Sequence, residues 1–423
     1  MSKTPNIKDD RLLPFIEKLL DGADVEWKAL GDKTIGKFTR GGGLQKKNFT
    51  ESGVGCIHYG QIYTHYGTYT DKTKSFVSEE FAKKARMAKH SDLVIATTSE
   101  NDEDLCKAVA WLGDEDIAVS SDACFYTHTL NPKYVAYYFQ TDQFHKQKRP
   151  FITGAKVRRV NADNLAKIKI PIPCPNDPER SLQIQQEIVR ILDTFTELTA
   201  ELTAELTAEL TARQKQYAYY RERLLSFETT NDTKGTNVVW KALGEVITLQ
   251  RGKRLVKSQL DDTGEYAVFQ NSMTPLGYYS ESNVKAGTTF VICAGAAGEI
   301  GYSDVDFWAA DDVYYLITPE NINSKYVYYF LWTQQHKILG QVRRASIPRL
   351  AKSALARLVL PIPPLEEQAR IVSILDKFDT LTTSISEGLP REIELREKQY
   401  EYYRDLLLSF PNTDHEPHER HEN

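Results

Sequence analysis

Cysteine is scarce in this chain. Five are spread over 423 residues, at Cys56, Cys106, Cys124, Cys174 and Cys293, with no CxxC pair among them. That spacing excludes a zinc ribbon and argues against a disulfide framework. It reads as reduced, mostly buried thiols in a cytoplasmic protein. No run approaches the ~18 apolar residues of a membrane span. The opening MSKTPNIKDDRLLPF has no charged-then-apolar order, so neither secretion nor membrane insertion is expected. Positive charge is in deficit: Lys and Arg total 53 against 58 Asp and Glu, for a net charge of −5. Taken globally this disfavours a polyanionic partner, although phosphate binding depends on where the cations sit. Hydrophobic residues at 41% and charged residues at 26% describe a globular chain, and its length predicts two to four domains.

Catalytic signatures are missing as well. Gly31–Lys37 (GDKTIGK) has the spacing of a phosphate loop, but Phe38 stands where a magnesium-binding Ser or Thr is required. No apolar strand precedes it. Asn131-Pro132-Lys133-Tyr134 superficially resembles the Asn-Pro-Pro-Tyr element of adenine methyltransferases. Lys133 replaces the second proline, however, and no glycine-rich cofactor loop accompanies it. His415, His418 and His421 lie three apart in a polar tail and read as solvated, not as metal ligands. No catalytic residue and no metal ligand is assigned.

What the chain does contain is a duplication. Trp27-Lys28-Ala29-Leu30-Gly31 returns as Trp240-Lys241-Ala242-Leu243-Gly244, 213 residues on. Asn131-Pro132-Lys133-Tyr134 returns as Asn323-Ser324-Lys325-Tyr326, at an offset of 192. Ile170-Pro171-Ile172-Pro173 returns as Leu360-Pro361-Ile362-Pro363, at 190. IVRILDTF (188–195) and KQYAYYRERLLSF (215–227) return as IVSILDKF (371–378) and KQYEYYRDLLLSF (398–410), both at 183. The early parts of the copies drift in length and the late parts do not. This is the pattern of a variable module on a rigid spacer.

Residues 181–227 predict one long helix. Ile184, Ile188, Ile191, Leu192, Phe195 and Leu198 recur at helical spacing, and Ser181 is a candidate N-cap. Thr-Ala-Glu-Leu occurs three times in succession over 199–210. Leucines four apart drift ~40° per repeat and form a ridge suited to packing on another helix. The helix would span roughly 70 Å at 1.5 Å per residue and needs a partner. The second copy, 365–410, supplies one, with a kink or break expected at Gly388 and Pro390. The expected fold class is α+β: two globules, 24–180 and 228–364, plus two helical regions, 181–227 and 365–410, pairing as an antiparallel coiled coil in an internal pseudo-twofold. Residues 1–23 form an N-terminal segment and 411–423 a disordered polar tail. Strands are expected in 56–70, 92–99 and 287–294, and short Tyr-rich helices at 133–139 and 325–332.

Cations cluster in matching places. GKFTRGGGLQKKNFT (36–50) and QRGKRLVKS (250–258) contain no acid, nor do 143–160 and 335–357 ahead of each IPIP-like turn. Arg and Lys neutralise phosphates, and Arg, Asn and Gln also read base edges. The candidate DNA-binding residues in the first globule are Arg40, Gln45, Lys46, Lys47, Asn48, Lys148, Arg149, Thr153, Lys156 and Arg158. In the second they are Arg251, Lys253, Arg254, Arg343, Arg344, Ser346 and Arg349. Two such modules at fixed separation would bind two half-sites at fixed spacing.

Lys169–Pro173, IVRILDTF, the Thr-Ala-Glu-Leu array, both KQY…LLSF segments and EGLPREIELRE together resemble the DNA-specificity subunit of Type I restriction–modification systems, in its IC-like group. The resemblance implies that each globule is a target-recognition domain reading half of an asymmetric, bipartite site in double-stranded DNA. It implies two methyltransferase subunits and two motor–nuclease subunits as partners, a role in phage defence, a cytoplasmic location and no membrane. S-adenosylmethionine, ATP and magnesium would be used by those partners, with no cofactor and no catalysis on this chain. The competing readings are a stand-alone DNA-binding protein and an unrecognised DNA methyltransferase or nuclease.

Overall fold

The computed structural model describes residues 18–227, 238–384 and 387–410. The tail with its three histidines and residues 1–17 of the N-terminal segment lie outside them. The chain forms two compact units, Met1–Thr203 with Leu395–Asn423, and Ala204–Glu394.

In each unit the landmarks of the duplication pair with one another. Strand Val25–Ala29 lies antiparallel to Lys169–Pro173, with Trp27 opposite Pro171. Strand Val239–Ala242 lies antiparallel to Val359–Ile362, with Trp240 opposite Pro361. Proline cannot donate to a ladder. A two-stranded ribbon accommodates it because one edge of each strand needs no partner. This ribbon staples the beginning of each domain to its end.

Between the ribbon strands, the sheet on the largest core of each domain has four strands that run antiparallel in the same order. In the first unit it runs Gly36–Arg40, Ala123–His128, Leu93–Ala96, Ala108–Trp111, with Tyr69–Thr70 added at the edge. In the second it runs Thr248–Arg251, Val313–Ile317, Thr288–Ile292, Ile300–Ser303. The predicted strand regions 92–99 and 287–294 thus sit inside the sheets. Region 56–70 differs from expectation, because helix Tyr59–Thr64 interrupts it. The cause is a cap: His58 Nδ1 accepts from the Gly60 backbone N–H, and Gln61 Oε1 accepts from that of His58.

The short Tyr-rich helices, Pro132–Tyr138 and Ser324–Thr333, hold each sheet to the helical region. Asn131 and Asn323 cap them, each accepting two backbone N–H groups. Lys133 Nζ reaches Asp193 at 2.8 Å, and Lys325 Nζ reaches Asp376 at 3.0 Å. The buried Tyr137 and Tyr329 hydroxyls donate to the same two carboxylates. Tyr134 and Tyr326 donate to the carbonyls of Pro171 and Pro361. Fully buried Gln185 and Gln368 accept from the backbone N–H of Asn131 and Asn323. The domain-side residues carry an offset of 192 and the helix-side residues 183. The contacts have therefore been kept while the chain between them changed length. Asn131-Pro132-Lys133-Tyr134, superficially like a catalytic element, is half of a mechanical clamp.

The long helix spans Pro178–Ser226. It begins before Ser181, because Asp177 caps it: its Oδ1 accepts from the Arg180 backbone N–H at 3.0 Å. Ser181 instead supports Gln185, whose amide donates to its hydroxyl. The second helical region is broken, not kinked, into Leu365–Thr383 and Leu389–Leu407. Gly388 at φ +90° ends the continuity there.

The leucine ridge shows its expected drift. Leu198 is 59% exposed, Leu202 and Leu210 are half-buried, and Leu206 is 8% exposed. In the first unit, Phe195 packs on Tyr403 and the Thr196 hydroxyl meets that of Tyr400 at 2.9 Å. The helices therefore run antiparallel there. In the second unit, Tyr217 and Tyr220 stack on Phe378.

The ends of the copies are exchanged. Leu407, Leu408 and Phe410, from the end of the second copy, are buried in the core of the first unit with Tyr134, Ile188 and Leu192. Tyr217 and Leu225, from the end of the first copy, are buried in the core of the second unit with Tyr326, Ile371 and Leu375. A segment that ends in the other copy's core cannot gain or lose residues without displacing that core along the helix. That accounts for the constant offset of 183.

Candidate nucleic-acid interface

The first basic block of each domain forms the same loop. Strand Gly36–Arg40 leads into a turn closed by the 3-10 segment Lys46–Asn48, and Thr248–Arg251 leads into one closed by Lys257–Gln259. Buried Leu44 and Leu255 anchor the two loops at matching positions. Asn48 Oδ1 accepts from the Gln45 backbone N–H at 2.9 Å, and Gln259 Oε1 from that of Val256 at 3.0 Å. The Asn48 carbonyl oxygen thus shapes the loop through one of its two lone pairs. Arg40 and Arg251 stand at the loop roots, where each Nε donates to a backbone carbonyl, of Ser121 and Asp311 respectively. Gln45, Lys46, Lys47, Lys253 and Arg254 are exposed.

The second block ends in a pinched loop. Thr153 and Arg159 exchange both backbone hydrogen bonds, at 3.0 and 2.9 Å. Arg343 and Arg349 do the same, at 2.9 and 3.1 Å. Each pair closes a tip of five residues, Gly154–Arg158 and Arg344–Pro348. Gly154 has φ +91°, and a Cβ there would collide with the Val157 carbonyl. Thr153, Lys156, Arg343, Arg344, Ser346 and Arg349 are all exposed.

The fold brings loop and tip together. In the second unit, Leu350 N–H donates to the Cys293 carbonyl and Cys293 N–H to that of Asp312. Arg251 Nη2 lies 3.9 Å from Asp312. In the first unit, Val160 N–H donates to the Thr97 carbonyl and Thr97 N–H to that of Asp122, beside the Ser121 carbonyl that holds Arg40. Two basic segments far apart in sequence thus converge on the same end of each sheet. Burial pushes the Cys293 thiol at this junction up to about 11, so it is an inert filler.

Three candidates are placed otherwise. Lys148 is buried, with its ammonium on the carbonyls of Glu103 and Leu105. Desolvation by burial lowers its pKa, and it serves the interior, not an interface. Arg149 is exposed but lines a cleft of about 880 Å³ that also holds Asp102, Glu103, Asp104, Glu401 and Asp405. The same lining carries Lys107, Lys146, Lys148 and Arg404, so Arg149 stands among charges of both signs, away from the loop and the tip. Arg158 is committed to Asp102 at 2.8 Å and to the Gly154 carbonyl. A stretch free of acids in sequence is not free of them in space. The exposed Arg159, which corresponds to Arg349 at the offset of 190, is a cation the candidate set omitted. Aligning the tips by that offset would have found it.

Residues 25–212 and 236–395 match the family model described as the Type I restriction modification DNA specificity domain. The Type I restriction enzyme EcoR124I/EcoR124II specificity subunit of Escherichia coli is 36% identical over 431 residues, covering 95% of this chain and 98% of that protein. The putative type I restriction enzyme specificity subunit S.HindORF215P of Haemophilus influenzae is 33% identical, covering 94% and 98%. Among solved structures, a chain from a study of assembly and conformational transition in the type I R-M system superposes with a TM-score of 0.64 at 16% identity, covering 91% of this chain and 97% of that one. The HsdS subunit from Thermoanaerobacter tengcongensis gives 0.55 at 17% identity, covering 91% and 95%. Those two likenesses concern the fold.

Proposed function

This chain belongs to the family of Type I restriction–modification DNA specificity subunits, and from that premise we propose that each sheet domain reads one half of a bipartite DNA target through its paired basic loop and pinched tip. The observation that carries this reading is the recurrence of loop and tip, in the same mutual arrangement, in two domains whose sequences have otherwise diverged. The family role is non-catalytic. Methylation and restriction belong to modification and restriction subunits, which we take to be two of each. S-adenosylmethionine, ATP and magnesium would be bound by those subunits. No helix among the described residues is long and apolar enough to cross a membrane, and a cytoplasmic site of action follows from the substrate.

The loop cations Lys46, Lys47, Lys253 and Arg254 suit phosphate contacts, which position without specifying. The tip residues Lys156, Arg159, Arg343, Arg344, Ser346 and Arg349 suit base edges. Arg343→Ala should cost roughly 1–3 kcal/mol and relax one half-site if the guanidinium is bidentate to a base. Binding of the complex to a panel of single-base variants checks it. Unchanged affinity across alanine variants of both loops and both tips would remove the assignment.

Exchanging residues 24–180 for the corresponding segment of another family member should change one half-site and leave the other intact. The sheet, loop and tip of that domain all lie within the exchanged segment. Methylation mapping reads both halves at once, and a change in both would contradict independent reading.

A further inference from the structure

We propose that Val157 and Ile347 are specificity-determining residues, each seated against the C5 face of a pyrimidine in the major groove of its own half-site. This rests on the reading above and assigns its apolar component. The two residues occupy the same place, four positions after the first residue of each closing pair. Val157 is 41% exposed and Ile347 53%. Neither packs in a hydrophobic cluster of the described residues. A single exposed aliphatic side chain needs no explanation. These two are different: the tips read Gly-Ala-Lys-Val-Arg and Arg-Ala-Ser-Ile-Pro, and share only an alanine and this β-branched apolar position.

The surroundings define the partner. In sequence Val157 lies between Lys156 and the Asp102-bound Arg158, with the exposed Arg159 next, and Ile347 lies between Ser346 and Pro348, with the exposed Arg344 three residues before it and Arg349 two after. A protein partner would call for a contiguous apolar patch, and here one aliphatic group sits among cations. The complementary surface is polyanionic with an isolated apolar spot. Duplex DNA has that character where the thymine methyl group projects into the major groove. Dimensions agree. A pinched pair of strands enters a groove ~12 Å wide and not a minor groove ~6 Å wide.

The test uses the chain assembled with its methyltransferase subunits and target duplexes in which each thymine in turn becomes uracil and each cytosine 5-methylcytosine. The expected result is one pyrimidine in each half-site at which the C5 methyl group changes affinity about fourfold, the worth of one buried methyl. Ile347→Ala should abolish that sensitivity in one half-site only, and Val157→Ala in the other. Ile347→Val should keep it. Val157→Ser and Ile347→Ser replace any alanine variant that fails to fold. Specific binding by the wild-type complex, with no C5 sensitivity that these variants silence, overturns the tip assignment alone. Loss of both sensitivities by one substitution overturns it too. Absence of target-specific binding by the wild type would instead overturn the reading on which it rests.

Discussion

A chain lacking Thr207–Leu210 is expected to prefer half-sites about one base pair closer together, and to lose about tenfold or more in methylation on the original spacing. The Thr-Ala-Glu-Leu array lies within the continuous helix Pro178–Ser226, and the division between the two compact units falls inside it, at Thr203 and Ala204. Any change in its length alters the stretch that connects the units. Four helical residues amount to ~6 Å of rise and ~40° of net rotation. One base pair contributes ~3.4 Å and ~35°. The rotations nearly agree and the rises do not, so tilting or bending of the DNA must absorb ~3 Å. Smooth bending of a site costs on the order of 1–6 kcal/mol, and about 1.4 kcal/mol is already tenfold. The half-site sequences should not change, because no loop or tip residue is touched. Methylation with partner subunits on duplexes differing by single base pairs in the gap decides it. An optimum that stays put in a folded, active complex would show that this helix is not the ruler.

Much of this fold was legible in the sequence because the chain states it twice. The long helix, the break at Gly388 and Pro390 and the strands at 92–99 and 287–294 follow from local periodicity and local breakers. The pairing of Trp27 with Pro171, and of Trp240 with Pro361, did not follow, because strand partnership is a long-range fact that only the folded chain states. Nor did the exchange of the LLSF ends between cores, although the constant offset of 183 was its trace. For the candidate interface, the two blocks were visible as acid-free runs, but their internal differences were not. Lys148 and Arg158 share a block with Lys156. Only the structure shows the first solvated by backbone carbonyls and the second held by Asp102 from another loop. Charge read along a chain gives the composition of a face, and packing decides which of its members reach solvent.

Replacing Asp376 by Ala should loosen the second unit by about 1–3 kcal/mol, the usual consequence of leaving a buried polar group unpaired. Asp376 accepts from Lys325 and from the Tyr329 hydroxyl. The two donors stand to lose unequally. The Lys325 side chain is 25% exposed and can turn to water, whereas Tyr329 is only 1% exposed. Most of the cost should therefore come from the stranded phenol. Adding Tyr329→Phe to the Asp376→Ala chain should recover most of the stability, and adding Lys325→Met should recover little. Asp193→Ala in the first unit should cost less, because the Tyr137 hydroxyl also lies 3.1 Å from Thr196 Oγ1 and keeps a partner. At the equivalent position, 183 residues on, stands Asp379, itself pushed above the ordinary carboxylate range by burial. Native-state hydrogen exchange over Ser324–Thr333 and Pro132–Tyr138 measures both effects in the intact chain. Equal loss of protection in the two helices would mean that Thr196 does not back up its clamp. Unchanged protection after Asp376→Ala would mean that the sheet is held to the helix by the buried Tyr326, Ile371 and Leu375 alone.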